Sequence, residues 1–494
     1  MKEILQVLAS CSLLCLIWAC NPDDEIFTDP SAELKFSTDT LTFDTVFTQI
    51  GSATRILKIY NDFDQNLLIS RIELEGGNGS SFRLNIDGDP VNMTEDLVIP
   101  SDDSLYLFAE VTVDPDQPIS VSPYVIEDAI LFETNGNEQR VVLEAWGQNA
   151  NYIPDRFSAD SISTFTCNGG TITWDDPKPY VIYGIVYYEN CEVVLPAGTD
   201  VFVHGGLAPF EDDDGNTFFY NDGRLIIGPN ARIKIEGTRE NPVTFQGDRL
   251  EEDFEDVSGQ WFGIVLSPGS QGNRFEHLIL KNSLLGVVVD SAANLEIDQT
   301  QIFNTSSNAI FAQHAEVSAT NSLFYNNGSA ALRLGFGGDY DFTYCTIGSF
   351  GNDQQSVFMD NLSCLDPFCG TYLANDLNAT FINSVFFGSN SDQIGLSAVP
   401  EAEFNYFFEH CVLRVDDLLD PEVGYPDFFD NANSTLNADR TDPMFFSVED
   451  DDYRLDTLSI AEGKAIPVSG IDVDLDGNER DEGSPDIGCF EYQY

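Results

Sequence analysis

The sequence has few basic residues. Of 494 residues only 22 are lysine or arginine, against 83 aspartates and glutamates, and the formal net charge is -61. A surface with this balance repels nucleic acid, anionic lipid and anionic polysaccharide unless metal ions bridge them. We therefore expect no nucleic-acid partner. A solvated acidic exterior is a simpler interpretation of the charge than a function encoded in it.

Histidine is also scarce, and the sequence contains only four: His204, His277, His314 and His410. A polyuronate lyase needs a lysine, arginine or histidine base, together with calcium or basic residues that neutralise the uronate carboxylate. A glycoside hydrolase needs two or three placed carboxylates. Carboxylates are so abundant here that the sequence singles out no pair, so we assign no catalytic residue.

Long apolar runs are absent except at the start of the chain, where residues 4–19 follow Met1-Lys2-Glu3. This run is too short to span a bilayer comfortably, and its layout is typical of a secretory signal. It ends in Leu16-Ile17-Trp18-Ala19-Cys20, which resembles the bacterial lipobox, where the cysteine is diacylated and becomes the mature N-terminus. We predict a signal peptide over residues 1–19 and lipidation of Cys20. The alternative is an ordinary signal peptide with an incidental cysteine.

An acidic stretch, Asn21-Pro22-Asp23-Asp24-Glu25, follows Cys20. It resembles the surface-export signal of Bacteroidetes lipoproteins, and we interpret residues 20–32 as an acidic linker. The resemblance implies a protein held on the cell outer membrane by acyl chains and exposed at the surface, so outer-membrane lipid is its expected partner.

Seven cysteines remain beyond Cys11, Cys15 and Cys20, and an odd number cannot pair completely. Cys167 with Cys191, and Cys364 with Cys369, are candidate disulfides in an oxidising compartment. A zinc site is the alternative for the second pair, although no histidine lies nearby and no matching cysteine pair follows.

Residues 33–150 alternate apolar and polar side chains in short runs separated by turn residues, as in Leu41-Thr42-Phe43-Asp44-Thr45-Val46-Phe47. Period-two runs without a helical stretch predict a β-sandwich. The ordering resembles the immunoglobulin-like modules beside membrane anchors in Bacteroidetes surface proteins. We expect this module to be a spacer, followed by a connector or N-terminal cap over residues 151–180.

A repeat of about 22 residues begins after residue 180. Six similar segments start at Leu278, Thr300, Ser322, Cys345, Ser384 and Cys411, at steps of 22, 22, 23, 39 and 27 residues. Their third positions are apolar throughout: Leu280, Ile302, Phe324, Ile347, Phe386 and Leu413. This step matches one coil of a β-solenoid, with the small first position and the large third position both pointing inward. Cys345 and Cys411 would then be buried packing residues.

The repeat, together with the end of the chain, resembles right-handed parallel β-helix (pectin-lyase-like) proteins of Bacteroidetes surfaces. The end reads Asp474-Leu475-Asp476-Gly477-Asn478-Glu479-Arg480 and then Pro485-Asp486-Ile487-Gly488-Cys489-Phe490-Glu491-Tyr492. The resemblance implies an all-β protein with a right-handed parallel β-helix over residues 181–440 and a closing segment over residues 441–494. It implies a fold and not an activity.

Loops that interrupt the coils are candidate ligand sites. In one of them Phe218, Phe219 and Tyr220 are candidates for stacking on sugar rings, and packing of the loop onto the β-helix is the alternative. Calcium is the only cofactor with candidate ligands. Asp472, Asp474 and Asp476 copy the opening of a calcium loop, but Gly483 stands where a bidentate glutamate is expected, so a structural turn is preferred. Asp212 and Asp214 are further metal candidates.

Our leading hypothesis from the sequence is a surface lipoprotein that displays a β-helix and binds a glycan or an envelope protein without catalysis. The alternative is a calcium-assisted polysaccharide lyase or glycoside hydrolase. A second alternative is a structural subunit of a cell-envelope assembly.

Overall fold

The computed structural model describes residues 26–47, 54–112, 124–155, 162–211, 217–250, 254–366, 368–422 and 424–493. The chain divides into two compact units, Met1–Asn149 and Ala150–Tyr494. Cys20 with its acidic stretch, Asp212 and Asp214 lie outside the described residues, and so does the side chain of Phe218. Within the described ranges, no helix has the length and apolarity needed to cross a membrane.

The first unit consists of two sheets. Its strands are β1 (Lys35–Phe36), β2 (Thr40–Phe47), β3 (Arg55–Tyr60), β4 (Leu67–Leu74), β5 (Phe82–Ile86), β6 (Met93–Ile99), β7 (Ser104–Val111), β8 (Tyr124–Thr134) and β9 (Asn137–Gln148). The strand orders are β1-β3-β7-β5 and β2-β9-β8-β4-β6. Alternate residues of β7 are buried, as period two requires. Buried residues from both sheets form one hydrophobic cluster.

The second unit contains the remaining strands. They are β10 (Asn151–Ile153), β11 (Ile162–Thr166), β12 (Thr171–Thr173), β13 (Tyr180–Tyr183), β14 (Ile185–Glu189), β15 (Glu192–Pro196), β16 (Asp200–His204), β17 (Leu207–Glu211), β18 (Thr217–Asn221), β19 (Arg224–Ile227), β20 (Arg232–Glu236), β21 (Val243–Gly247), β22 (Gly263–Leu266), β23 (Asn273–Glu276), β24 (Leu278–Lys281), β25 (Val287–Val289), β26 (Asn294–Asp298), β27 (Gln301–Thr305), β28 (Ile310–Thr320), β29 (Leu323–Asn327), β30 (Leu332–Thr343), β31 (Thr346–Ser349), β32 (Val357–Asp360), β33 (Leu362–Cys364), β34 (Tyr372–Ala374), β35 (Leu377–Ile382), β36 (Val385–Gly388), β37 (Ile394–Ser397), β38 (Phe404–Glu409), β39 (Val412–Leu413), β40 (Ala432–Asn433), β41 (Leu436–Asn437), β42 (Phe445–Ser447) and β43 (Asp452–Leu455). Short 3-10 helices cover Gly77–Gly79 in the first unit and Asp417–Leu419, Phe428–Asn431 and Val448–Asp450 in the second.

Two large parallel sheets coil through the second unit. One has the order β10-β13-β16-β21-β24-β27-β29-β31-β36-β39-β41. The other contains two strands from most coils, here called its first arm (such as β25) and its second arm (such as β26). Each strand pairs in parallel with its counterpart one coil later, for example β24 with β27 and β26 with β28. This is the arrangement of a parallel β-helix. Parallel pairing already begins at β10 and β11, within the range for which a connector or N-terminal cap was predicted.

The predicted inward columns of the β-helix are confirmed. Leu280, Ile302, Phe324, Ile347 and Phe386 are paired in sequence along one sheet. All of them are fully buried, and so are the small-column residues Thr300, Ser322, Cys345, Ser384 and Cys411. Large side chains therefore stack on large ones and small on small, which fills the interior. The two cysteines are packing residues, as predicted.

From β23 onward, each turn from the second arm to the next coil contains one residue in the left-handed conformation. We call this set the corner column: His277, Gln299, Asn321, Tyr344, Asn383, His410 and Ser434, with φ between 47° and 54°. Asparagine and histidine are enriched in this conformation, whereas glutamine, tyrosine and serine adopt it less often.

The closing segment (residues 441–493) runs along the corner column. Its contacts are the hydrogen bonds from Asn321 Nδ2 to Val473 O (3.0 Å), from Tyr344 Oη and Asn383 Nδ2 to Ile466 O (2.7 Å each), and from His410 Nδ1 to Lys464 O (2.8 Å). Arg480 fixes the segment further, since it donates to Asn321 Oδ1 (2.8 Å) and Gly488 O (3.0 Å) and pairs with buried Glu491 (3.4 Å).

Disulfides join Cys167 to Cys191 and Cys364 to Cys369. The first links the beginning of the β-helix to its next coil. The second closes an insertion hairpin, β33–β34, so this cysteine pair does not form the zinc site that was the alternative.

Candidate functional site

A ladder of carboxylates follows the outer face of the second arm. Glu236, Glu276 and Asp298 pair in register on successive strands, and Thr320 comes next. Their side chains point outward because the preceding residues Ile235, Phe275 and Ile297 are buried. Neighbouring members are therefore separated by about one strand spacing, roughly 4.8 Å.

A cleft of about 240 Å³ opens where this ladder meets the closing segment. One wall consists of Asp298, Gln299, Thr320 and Asn321, and the other of residues 470–473. Asp298 and Asp472 therefore line the same cleft from different parts of the chain. The corner column positions both walls, because Asn321 binds Val473 and thereby holds the closing segment beside β26.

The carboxyl of Asp298 has a raised pKa. Partial burial is the larger cause and the charge of Glu276 adds to it, while His277, Arg274 and a hydrogen bond from the Gln299 amide act in the opposite direction. Asp472 on the opposite wall is exposed to solvent. The cleft therefore combines a partly buried carboxyl group whose pKa is raised with a second carboxyl group that is exposed to solvent.

The charged groups around the ladder have partners of their own. Arg274 pairs with Glu276 at 3.3 Å, and Arg239 pairs with Glu240 at 3.1 Å. Arg239 also donates to the main chain of Asp476. Burial lowers the pKa of His277, whose ring is thus mostly neutral near pH 7. None of these groups gives the cleft an excess of positive charge.

The three candidate calcium ligands of the closing segment do not converge. Asp474 is buried and accepts hydrogen bonds from the amides of Asn478 (2.7 Å) and Glu491 (2.8 Å). Asp476 pairs with Arg454 at 2.7 Å, whereas Asp472 lines the cleft. The segment is a turn held by Asp474. No group of three or more histidine, cysteine, aspartate or glutamate side chains among the described residues could hold a metal ion.

The candidate stacking residues lie on an insertion hairpin formed by β17 and β18. The side chain of Phe219 is 67% exposed, whereas Tyr220 is half-buried. The hairpin does not contribute to the cleft at Asp298. Close to it in sequence, His204 Nδ1 lies 2.7 Å from Asp248 Oδ2, and the imidazole stacks on Tyr183.

A larger cleft of about 1110 Å³ lies in the first unit beside edge strand β5. The exposed amides of this edge are already satisfied locally. Leu84 N donates to Asn92 Oδ1 (3.1 Å) and Ile86 N donates to Asp89 O (2.8 Å). An edge closed in this way does not accept another strand.

Sequence reasoning did not identify Asp298 or Glu276. The repeat contained a signal for both, because each precedes a small-column position by two residues and so falls at the outward end of a second-arm strand. The sequence had no signal for the partial burial of Asp298, because the closing segment that covers it lies far away in the chain.

No protein-family model matches the chain, and no curated protein matches it. Among solved structures, the catalytic unit of a GH87 alpha-1,3-glucanase from Streptomyces thermodiastaticus is 7% identical, with 72% of this chain and 79% of the enzyme covered and a TM-score of 0.21. A family 123 glycoside hydrolase from Clostridium perfringens is 6% identical over 39% of this chain and 47% of its own, with a TM-score of 0.19. A chaperone–tip adhesion subunit complex of Csu pili from Acinetobacter baumannii is 12% identical over 24% of this chain and 52% of its own, with a TM-score of 0.15. The chain thus spans about half the length of the matched Clostridium perfringens hydrolase and about half that of the matched pilus complex chain. At such values the likeness assigns no residue of the site.

These findings correct the leading hypothesis from the sequence. The leading hypothesis of a binder without catalysis, and the expectation that the protein is not an enzyme, are not retained, because glycoside hydrolases are among the matching structures. At these TM-scores the likeness assigns no activity to this chain.

Proposed function

We propose that the protein is a glycoside hydrolase whose active site is the cleft between β26 and the closing segment. The observation that supports this proposal is the pairing of Asp298, with its raised pKa, and exposed Asp472 on facing walls. Hydrolysis of a glycosidic bond needs one protonated and one ionised carboxyl group flanking that bond.

In this proposal Asp298 is the general acid and gives its proton to the glycosidic oxygen as the bond to the anomeric carbon breaks. Asp472 takes a proton from the attacking water, whose oxygen bonds to the anomeric carbon. Glu276 touches neither reacting atom. It is a positioning residue, because its charge helps to raise the pKa of Asp298.

We further propose an uncharged polysaccharide as the substrate. The net charge of -61 disfavours polyuronates, since the cations described around the carboxylate ladder are already paired with carboxylates. A lyase acting on uronates would need a cation at the site.

The setting of the activity is also a proposal. The lipobox-like sequence at Cys20 and the acidic residues behind it support an enzyme anchored to the outer membrane and exposed at the cell surface. The first unit would then be an immunoglobulin-like spacer, and the second a β-helix of right-handed coil. Metabolic labelling with a radioactive fatty acid tests the anchor, and the label should be lost in Cys20→Ala.

The activity is tested by release of reducing ends from a panel of neutral and uronate polysaccharides. With the neutral polymer that is cleaved, we expect Asp298→Asn and Asp472→Asn each to lower kcat by about 10²- to 10⁴-fold, the contribution usual for general acid–base catalysis. Activity should fall as the pH rises through the pKa of Asp298, because the acid must be protonated.

Asp353→Asn is the matched control, because it removes one exposed carboxylate of the same unit outside the cleft. It should leave the rate unchanged. Equal rates in wild type and both cleft variants, or cleavage of polyuronates alone, would refute the proposal.

A further inference from the structure

Three aromatic side chains follow one another on the outer face of the sheet β1-β3-β7-β5 in the first unit. Tyr60 on β3 and Tyr106 and Phe108 on β7 point outward, because the residues beside them, Ile59 and Leu107, are fully buried. Each ring belongs to a different cross-strand pair, and neighbouring pairs are two residues, or roughly 6.8 Å, apart along the strands. We call these three residues the aromatic strip.

The aromatic strip is exposed, and its tyrosines share one cation. Tyr106 is 46% exposed, and Ile56, which pairs with Phe108, is 53% exposed. The ammonium of Lys58 lies 5.0 Å from the ring centroid of Tyr60 and 5.2 Å from that of Tyr106. Apolar surface that clusters on one face of a protein is typical of a binding surface.

A cleft continues the aromatic strip at Phe108. This residue forms part of the wall of the cleft of about 1110 Å³ beside β5. Asn85, which pairs with Phe108 across β5 and β7, lines the cleft as well, and Asn78 and Asn92 add further amide groups. The strip and the cleft thus form one continuous surface on which aromatic rings lie beside amide groups.

Sugar rings match this combination of groups. The C–H face of a sugar ring is apolar and stacks on an aromatic ring, while its hydroxyl groups exchange hydrogen bonds with amides. The aromatic strip extends over roughly 14 Å along the strands, so a ligand that contacts all of it is a chain of sugars.

The charges of this face do not favour an acidic ligand. Lys35 on β1 pairs with Asp62 at 3.0 Å, and Arg83 on β5 stands opposite Glu110 in register. Lys58, the remaining cation at the outward positions of the described strands of this sheet, lies over the tyrosine rings. Cations that are compensated locally attract no polyanion, least of all on a chain with a net charge of -61.

We propose that the aromatic strip and the adjoining cleft bind an uncharged polysaccharide. Its sugar rings stack on Tyr60, Tyr106 and Phe108, and its hydroxyl groups bond to Asn85 inside the cleft. A peptide strand is not the occupant, because the edge of β5 is closed by its own hydrogen bonds. The first unit then holds the polymer in addition to its proposed spacer role. This inference requires no cleavage and therefore does not rest on the proposed hydrolase activity.

Affinity electrophoresis of the full-length protein tests the surface. The native gels contain dextran, mixed-linkage β-glucan, xyloglucan or galactomannan as neutral polymers, and polygalacturonate as the acidic one. We expect at least one neutral polymer to retard the protein. Tyr60→Ala/Tyr106→Ala should weaken that affinity by about tenfold or more, because two stacking rings are lost.

Two matched variants control for changes other than the loss of these rings. Tyr60→Phe/Tyr106→Phe keeps both rings and should be retarded like wild type. Trp146→Ala/Phe446→Ala removes two rings that are 43% and 70% exposed elsewhere in the chain, and it should also be retarded like wild type. Equal retardation of wild type and Tyr60→Ala/Tyr106→Ala, retardation by polygalacturonate alone, or none by any neutral polymer would overturn the proposal.

Failure of this proposal can be told apart from failure of the hydrolase. Asp298→Asn should be retarded like wild type but release few reducing ends. Tyr60→Ala/Tyr106→Ala should cleave a short oligosaccharide of the same polymer at the wild-type rate. A wild-type protein that is retarded and releases no reducing ends would support the binding surface and refute the hydrolase.

Discussion

Asp298 ends β26 in a partly buried position beside Glu276, and this environment has a consequence for folding as well as for catalysis. Because its pKa is raised, the folded protein binds this proton more tightly than the unfolded chain, whose aspartates titrate at about 3.9. The stability that Asp298 contributes is therefore fully present below that pH and is lost as the pH rises through the folded pKa.

Asp298→Asn should remove this pH dependence. We expect the free energy of unfolding of the variant, relative to wild type, to increase from about pH 4 to neutral pH, because asparagine carries no charge to be buried. Urea unfolding at several pH values measures the difference. Asp353→Asn, which changes the net charge equally, should show no such trend, and a trend of the same size there would contradict the assignment.

In the corner column, the residue type alone does not predict the backbone conformation. His277 and His410 immediately precede the inward-facing first positions Leu278 and Cys411, and both are partly exposed. Their place is set by backbone geometry, since each takes the left-handed conformation at which the coil turns. Asparagine or histidine at such a place indicates a corner, whereas glutamine or tyrosine gives no such signal.

At the level of strands, the inward columns were predictable because they depend only on the repeat and on period two. The column from Leu280 to Phe386 is fully buried, and so are Val287 and Val289 on the first arm. Residues 151–180 were predicted as a connector or N-terminal cap, and the strands within this range are short and contain polar residues. Thr171–Thr173 pairs with β15 although its sequence has no apolar run. Pairing with a strand of the next coil therefore outweighs the local amino-acid composition in forming this strand.

The two disulfides should differ in their contribution to stability. Cys167–Cys191 closes a loop with a sequence separation of 24, and Cys364–Cys369 closes one of 5. Loop-closure entropy then predicts a loss of about 3.4 kcal/mol for Cys167→Ala/Cys191→Ala and about 2 kcal/mol for Cys364→Ala/Cys369→Ala. Urea unfolding of both double variants measures these values. An equal or reversed loss would mean that strain or local unfolding of the β33–β34 hairpin outweighs chain entropy.

On the scale of the second unit, the sequence predicted the local turn of the closing segment but not the surface on which that segment packs. Its turn was recognised at Asp474, and its position on the β-helix was not, because hydrogen bonds such as Asn383–Ile466 join residues separated by 83 positions. The cleft depends on that docking, since residues 470–473 form one of its walls. Nothing in the sequence around Asp298 or Asp472 indicated that the two side chains would line the same cleft.

Arg480 connects the docking of the closing segment to the cleft. It is buried, lies over the ring of Tyr344, and pairs with buried Glu491. Replacing it with methionine leaves the Glu491 charge without its partner, which typically costs about 3–5 kcal/mol. We expect Arg480→Met to speed hydrogen exchange along residues 464–490 and to lower kcat/KM, because the wall that contains Asp472 loosens.

Arg480→Met/Glu491→Gln should recover part of the stability, since the unpaired charge is gone, while exchange in residues 464–490 stays faster than in wild type. Arg414→Met is the control. Its guanidinium donates to main-chain oxygens such as Asn390 O (2.8 Å), outside the closing segment, so exchange there should not change. If Arg480→Met speeds exchange in the closing segment and leaves glycan cleavage intact, the cleft at Asp298 is not the active site.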